Sequence, residues 1–238
     1  MDTPIPLESD HQMNKFTELG TFSIETIVPQ DMVIPTDKEI PLPQAVLVGC
    51  GVITGMGAAP NTANVQPGKS VAVFGCGNVG LNVIQGAMIA GAEPIIAVDI
   101  LDNELGLSQQ LGATHTINSS QVHPVKAIQE LTEGQGLHYA FEAIGLVSNP
   151  FKQSILCTRK RCITVYAGHT PVNTPVDFDA RILFLEKMVI GSYYETCRPR
   201  VDFPQLLGFY KTDKLKLDEL VNANLSTRRS QPSTHCLR

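Results

Sequence analysis

No Cys-x-x-Cys pair occurs in this sequence, although six cysteines are spread over it, at positions 50, 76, 157, 162, 197 and 236. Such scatter argues against a disulfide framework and for reduced thiols in a cytoplasmic protein. No uninterrupted apolar run reaches the ~18 residues a membrane-crossing helix needs. The opening stretch MDTPIPLESDHQ carries acidic residues and lacks the apolar core of a secretory signal. Basic excess is missing too. With 18 Lys and Arg against 23 Asp and Glu, the net charge is −5, which excludes nucleic acid or an anionic membrane as the main partner. What is present is ordinary for a soluble globular protein: 43% hydrophobic residues over 238 positions, enough to bury a sizeable core.

Residues 1–20 are polar and irregular. TFSIETIVP (21–29) alternates Phe22, Ile24, Thr26 and Val28, the period of a half-buried strand. An apolar segment rich in Gly and Ala then follows Pro43, predicting a helix from about residue 43 that breaks near its glycines. From residue 70 the pattern becomes regular. Apolar runs at 70–75, 93–99, 113–118, 138–145, 162–168 and 188–194 alternate with helical segments at 81–92, 103–113, 122–134, 149–158 and 180–187. Strand-length runs separated by amphipathic helices build βαβ units and a parallel sheet. Six such strands predict an α/β, doubly wound Rossmann sheet, with strand order 3-2-1-4-5-6. The tail from about Leu225 is polar and aperiodic, and is expected to be disordered.

Gly75, Gly77 and Gly80 form a Gly-x-Gly-x-x-Gly between the first strand and its helix, the context in which this motif binds a dinucleotide. The first glycine permits the tight turn, the second lets backbone approach a pyrophosphate, and the third allows close helix–strand packing. The helix start adds unpaired amides and a positive dipole end. Asp99 ends the second strand, 19 residues after Gly80, where a carboxylate accepts from ribose hydroxyls and repels a 2′-phosphate, favouring NAD over NADP. LVGCGVITGMGA (47–58) is the second informative stretch. Cys50 alone reads as a packed thiol, but the glycines at 49, 51, 55 and 57 leave a thin wall where a ligand or metal could sit.

LVGCGVITGMGAA, the Val65–Lys69 linker, SVAVFGCGNVGLNVIQGA, IIAVDI, LGATHTIN, YAFEAIG and KLKLDELV together resemble the zinc-dependent medium-chain alcohol dehydrogenases, most strongly their class III, glutathione-dependent formaldehyde dehydrogenase side. The resemblance spans roughly residues 16–221. It implies that Cys50 is a catalytic-zinc ligand and that Thr54 lies near the nicotinamide. It implies a pyrophosphate loop of Gly75, Gly77, Asn78, Val79 and Gly80, with Asp99 on the ribose. Ile144 and Ala167 would wall the nicotinamide and its ribose. The Met188–Tyr194 strand would be the edge through which two copies pair as a homodimer.

Four departures accompany the likeness. A catalytic zinc needs three protein ligands and an open position. The 49 residues before Cys50 hold no cysteine and only His11, without the family's Gly-His-Glu context. The four-cysteine structural zinc lobe is missing, and the end NANLSTRRSQPSTHCLR does not resemble the family. Glu104 stands where the family usually has a lysine near the adenosine. Among other candidates, His169 reads as a loop histidine that could line a substrate pocket, Glu142 as a structural strand-end carboxylate, and Arg159–Arg161 as a solvated basic turn. Cys157 and Cys162 read as packing residues.

The sequence thus predicts a catalytic-domain remnant with its connecting helix (1–69, GroES-like by resemblance), an NAD-binding Rossmann domain (70–194), and a remnant helix with a tail (195–238). The implied function is a truncated, NAD-dependent, zinc-type alcohol dehydrogenase, acting on a small-molecule alcohol or aldehyde by hydride transfer. A non-catalytic NAD-binding module and a zinc-free medium-chain reductase are the alternatives.

Overall fold

A computed structural model describes residues 26–145, 148–194 and 197–221. Residues 26–37 belong to a small separate unit and carry one 3-10 turn, Gln30–Met32. The strand expected over 21–29 lies partly outside the described residues, and 26–29 are not strand. The tail from 225 and His11 also lie outside them. All that follows concerns the compact unit Lys38–Val221.

Its centre is a six-stranded sheet: β1 (Val71–Phe74), β2 (Ile95–Asp99), β3 (His115–Asn118), β4 (Leu137–Glu142), β5 (Thr158–Tyr166) and β6 (Met188–Gly191), in the order 3-2-1-4-5-6. Every adjacent pair is parallel. The helices are α1 (Leu42–Thr62), α2 (Asn78–Ile89), α3 (Asp102–Gln110), α4 (Pro124–Leu131), α5 (Ser148–Cys157) and α6 (Pro199–Lys211). The doubly wound prediction is therefore realised.

The apolar runs explain the layering. In β1, Val71 and Val73 join a core with α2 residues such as Val83, Ile84 and Ala87. Ala72 and Phe74 point to the opposite core, with Ile128 of α4 and Cys157 of α5. A strand covered on both faces cannot alternate polar and apolar residues, which is why VAVF is continuous. Burial pushes the Cys157 thiol up to about 12, in keeping with a packing role.

Three local expectations are corrected. First, α1 does not break at its glycines. It runs from Leu42 to Thr62, widened by π turns at Val48–Val52 and Ala58–Thr62. By length and composition it could cross a membrane, yet half of its most apolar window is buried inside the fold. Two of its glycines face α2: a Cβ on Gly51 would overlap the Asn78 side chain and one on Gly55 the Val79 carbonyl, while a Cβ on Gly86 of α2 would overlap the Met56 carbonyl of α1. The cost of glycine in a helix is offset by this close approach. At Gly51 and Gly55 the thin wall read from the sequence is thus a helix–helix contact.

Second, β5 starts at Thr158 and takes in the basic run. Arg159 donates from Nε and Nη2 to the Gly136 carbonyl at 3.2 and 2.9 Å, and Arg161 pairs with Glu186. Third, residues 180–187 are only a 3-10 stretch, Ala180–Leu185, and β6 ends at Gly191.

At the amino edge of the sheet, Ser70 and His138 lock the starts of β1 and β4. The Ser70 amide donates to His138 Nδ1 at 3.2 Å, Ser70 Oγ lies 2.9 Å from the same nitrogen, and the His138 amide donates to Ser70 Oγ at 3.1 Å. Nδ1 must be unprotonated to accept. Burial, then Arg159 and Lys69, hold this histidine below its ordinary 6.5. The unfolded chain therefore binds the proton more readily than the folded one. The stabilisation is complete above 6.5 and is lost as pH falls below that value toward the depressed folded one. Urea midpoints should drop between about pH 7.5 and about pH 5, and His138→Gln should flatten that drop. An unchanged slope in the variant would refute the assignment.

Candidate functional site

The site forms at the carboxyl edge of the sheet, where the chain leaves β1 for one side and β4 for the other. Ligands of open α/β sheets bind at such a switch point. Gly75 continues β1 by donating to the Val98 carbonyl at 2.8 Å, then turns with φ of +94°, a conformation that favours glycine. Gly77 caps α2 in ordinary extended backbone, and a Cβ built on it would meet nothing within 4 Å. Gly80 is the opposite case. Its Cβ would overlap the Gly75 carbonyl oxygen. One glycine is required by packing, the other leaves open space beside the first-turn amides.

Asp99 closes the turn from the end of β2. Its Oδ2 accepts from the Cys76 amide at 2.7 Å, and its Oδ1 from the Ile100 and Leu101 amides at 2.7 and 3.0 Å. The carboxylate is oriented by three donors, and since a carboxylate offers about four acceptor sites, Oδ2 keeps capacity for one more. Cys76 itself is a packing residue: burial foremost, then Asp99 and Glu104, push its thiol far above the ordinary range.

A cleft of about 290 Å³ opens beside Asp99, lined by Phe74, Val98, Ile100, Ile144 and Pro150 among others. A second cavity of similar volume lies between α1, α2 and α6, lined in part by Met56, Ile89, Leu206 and Phe209. Only the first adjoins the glycine turn.

The opposite wall comes from β4 and β5. Ile144 is half-buried and its Cγ1 sits where a Cβ on Gly75 would fall. Ala167 is half-buried and donates to the Glu142 carbonyl at 2.8 Å. Val79 packs against the core under the turn. The exposed Asn78 lies on α2, its carboxamide against Gly51, and Asn82 donates to its carbonyl at 2.8 Å.

Cys50 and Thr54 lie on α1, the first exposed and the second half-buried. The Tyr194 hydroxyl donates to the Gly49 carbonyl at 2.9 Å and lies beside Cys50; burial and then this thiol push the phenol up. Among the described residues, no group of three His, Cys, Asp or Glu side chains could hold a metal. A single thiolate does not make a zinc site.

Three participants escaped the sequence reading. The Cys76 amide on Asp99 is a backbone group and leaves no residue signature. Pro150 enters the cleft only because α5 starts behind the β4 turn. Tyr194 meets α1 across 145 positions of sequence.

A family model described as zinc-binding dehydrogenase matches residues 78–212, more than half of the chain. The chain belongs to this family. Among solved structures, it is similar to an alcohol dehydrogenase zinc-binding domain protein from Burkholderia ambifaria, at 38% identity and a TM-score of 0.75, over 79% of this chain and 50% of that one. Benzyl alcohol dehydrogenase from Acinetobacter calcoaceticus matches at 34% identity and 0.75, over 79% and 51%. Zinc-dependent alcohol dehydrogenase 2 from Streptococcus pneumonia matches at 28% and 0.67, over 76% and 50%. The chain therefore spans about half the length of these family members. Its six-stranded parallel sheet with flanking helices is the Rossmann-like fold shared with these alcohol dehydrogenases.

Proposed function

We propose that this chain supplies the NAD-binding portion of an oxidoreductase that interconverts a small alcohol and its aldehyde. The observation that carries the reading is the Gly75–Gly80 turn with Asp99 fixed across it at 2.7 Å from the Cys76 amide. The residues fit NAD. Gly77 leaves open space at the start of α2, the amides there are the unpaired donors of a helix terminus, and Asp99 retains an acceptor site for a ribose hydroxyl. The same carboxylate disfavours a 2′-phosphate by charge. NAD, when bound, supplies the hydride-accepting ring. The chain's own residues orient it: the glycine turn takes the pyrophosphate, Asp99 the adenosine ribose, and Ile144 and Ala167 flank the nicotinamide end, with Thr54 on α1 opposite.

The described residues do not fit zinc, because no group of three side chains able to hold it occurs among them. This favours a second reading, a non-catalytic NAD-binding module; a zinc-free medium-chain reductase is a third. The reading further includes a cytoplasmic location and a homodimer formed through the Met188–Tyr194 edge, where β6 is the terminal strand of the sheet.

Titration with NADH, followed by fluorescence, tests the cofactor assignment: saturable binding is expected, stronger than for NADPH. Equal or tighter NADPH binding would overturn the role of Asp99. Metal analysis of the purified chain separates the zinc readings. Substoichiometric zinc, unchanged by Cys50→Ser, is expected. Stoichiometric zinc lost in that variant would show that ligands beyond the described residues complete the site.

A further inference from the structure

Glu142 ends β4 at the centre of the sheet, with Phe74 beside it on β1 and Tyr166 on β5. It is fully buried. Its Oε1 accepts from the Ile144 amide at 2.9 Å and the Gly145 amide at 2.8 Å. Its backbone carbonyl accepts from the Ala167 amide at 2.8 Å and the Gly168 amide at 2.9 Å. One residue therefore ties four amides from the two turns that follow β4 and β5. Its other oxygen, Oε2, has no hydrogen-bond partner among the described residues and lies against Gly168, where a Cβ would come within 2.6 Å of it.

Burying a carboxyl in the middle of a sheet is costly unless a specific contact requires it. Among the described residues no cation answers Glu142: its side-chain hydrogen bonds there come from backbone amides alone, and burial pushes the carboxyl up while the two amides oppose this. Two amides need an acceptor, and an acceptor need not be charged. The Ile144 side chain in turn covers Gly75, so the position of the β4 turn sets the roof over the dinucleotide turn.

We propose that Glu142 is a positioning residue for the cofactor, whose Oε1 fixes the Ile144–Gly145 turn as a hydrogen-bond acceptor while its backbone carbonyl holds the Ala167–Gly168 turn, with the side-chain charge dispensable. The proposal rests on the NAD reading above for its consequence, and on the hydrogen bonds alone for its geometry.

Glu142→Gln keeps the acceptor and the shape, whereas Glu142→Met keeps the volume and leaves two amides unpaired. NADH affinity of the Gln variant should stay within about two-fold of wild type, and that of the Met variant should fall about ten-fold or more. Amide exchange at Ile144 and Gly145 should be slow in the wild type and in Gln, and fast in Met. A Gln variant as weak as Met would show that charge matters, and a Met variant that binds normally would remove the role altogether; either overturns the proposal. If Met does not fold, Gln decides: wild-type affinity and protection support the proposal, and loss of either refutes it. If the wild type itself does not bind NADH, the cofactor reading fails, and exchange alone judges the geometry.

Discussion

Gly77→Val should fold as the wild type does and lose NADH binding by about a hundred-fold or more. The backbone at Gly77 is extended, with φ of −73° and ψ of −170°, so valine can adopt it. A Cβ there meets no atom of the protein within 4 Å. The added methyls project into the open space beside the first-turn amides of α2, where the proposed NAD would bring its pyrophosphate. Each charge-assisted hydrogen bond denied to it is worth about 1.5–3 kcal/mol, so the loss of one or two gives the expected factor. The cap itself costs about 1 kcal/mol, because valine is a poorer N-cap than glycine. Gly80→Ala is the control with the opposite signature. Its Cβ overlaps the Gly75 carbonyl, so it should destabilise the fold by more than about 4 kcal/mol, among the largest single-substitution effects. Thermal melts with NADH titrations separate the two. A Gly77→Val chain that binds NADH normally would refute the cofactor site, and a Gly80→Ala chain of unchanged stability would refute the packing.

This contrast marks where sequence reasoning reaches and where it stops. The Gly-x-Gly-x-x-Gly spacing assigns all three glycines together, because the motif is one object in sequence. Only the fold divides them into a turn former, an open approach and a packing contact. The strands were legible for a simple reason: VAVF and IIAVD are buried on both faces, and continuous apolar runs are what such strands need. The sheet order follows from the run of βαβ units. Extents were harder. Arg159 and Arg161 look like a solvated turn because their charges are polar in any local count. In the fold their side chains find the Gly136 carbonyl and Glu186 while their backbone continues β5.

The continuity of α1 was hidden for a related reason. Glycine lowers helix propensity, so four glycines in nine positions read locally as a break. The compensating contact is with Gly86 and Val79 on a different helix, a tertiary term that no window on α1 contains. Glu142 was legible as structural but not as central. Nothing in FEAIG reveals that four amides from two separate turns converge on it. Cys50 shows the reverse limit. By resemblance its GCG setting implies a zinc ligand, yet the described residues place the Tyr194 hydroxyl beside it and assemble no group of three side chains that could hold a metal.

Asp99 should show the second large effect, and it should fall on stability and cofactor affinity together. Its carboxylate is the shared acceptor of the Cys76, Ile100 and Leu101 amides. The last two residues are exposed, at 61% and 50%, so water can replace the carboxylate there. Cys76 is fully buried, and in Asp99→Ala its amide is left without a partner, which costs about 1–3 kcal/mol. The turn that this amide anchors is the one between β1 and α2, so NADH binding should weaken beyond the loss of the ribose contact itself. Asp99→Asn retains one carbonyl oxygen. If that oxygen serves Cys76, Ile100 and Leu101 lose theirs to solvent at little cost, and stability should recover by more than half. The charge does not recover. Discrimination against NADPH should therefore shrink in both variants, because the repulsion of a 2′-phosphate is electrostatic and both lack it. Urea melts and paired NADH and NADPH titrations check the two effects independently. Undiminished NADH preference in Asp99→Asn would place the basis of cofactor choice elsewhere. Unchanged stability in Asp99→Ala would mean that the Cys76 amide finds another acceptor when the turn relaxes.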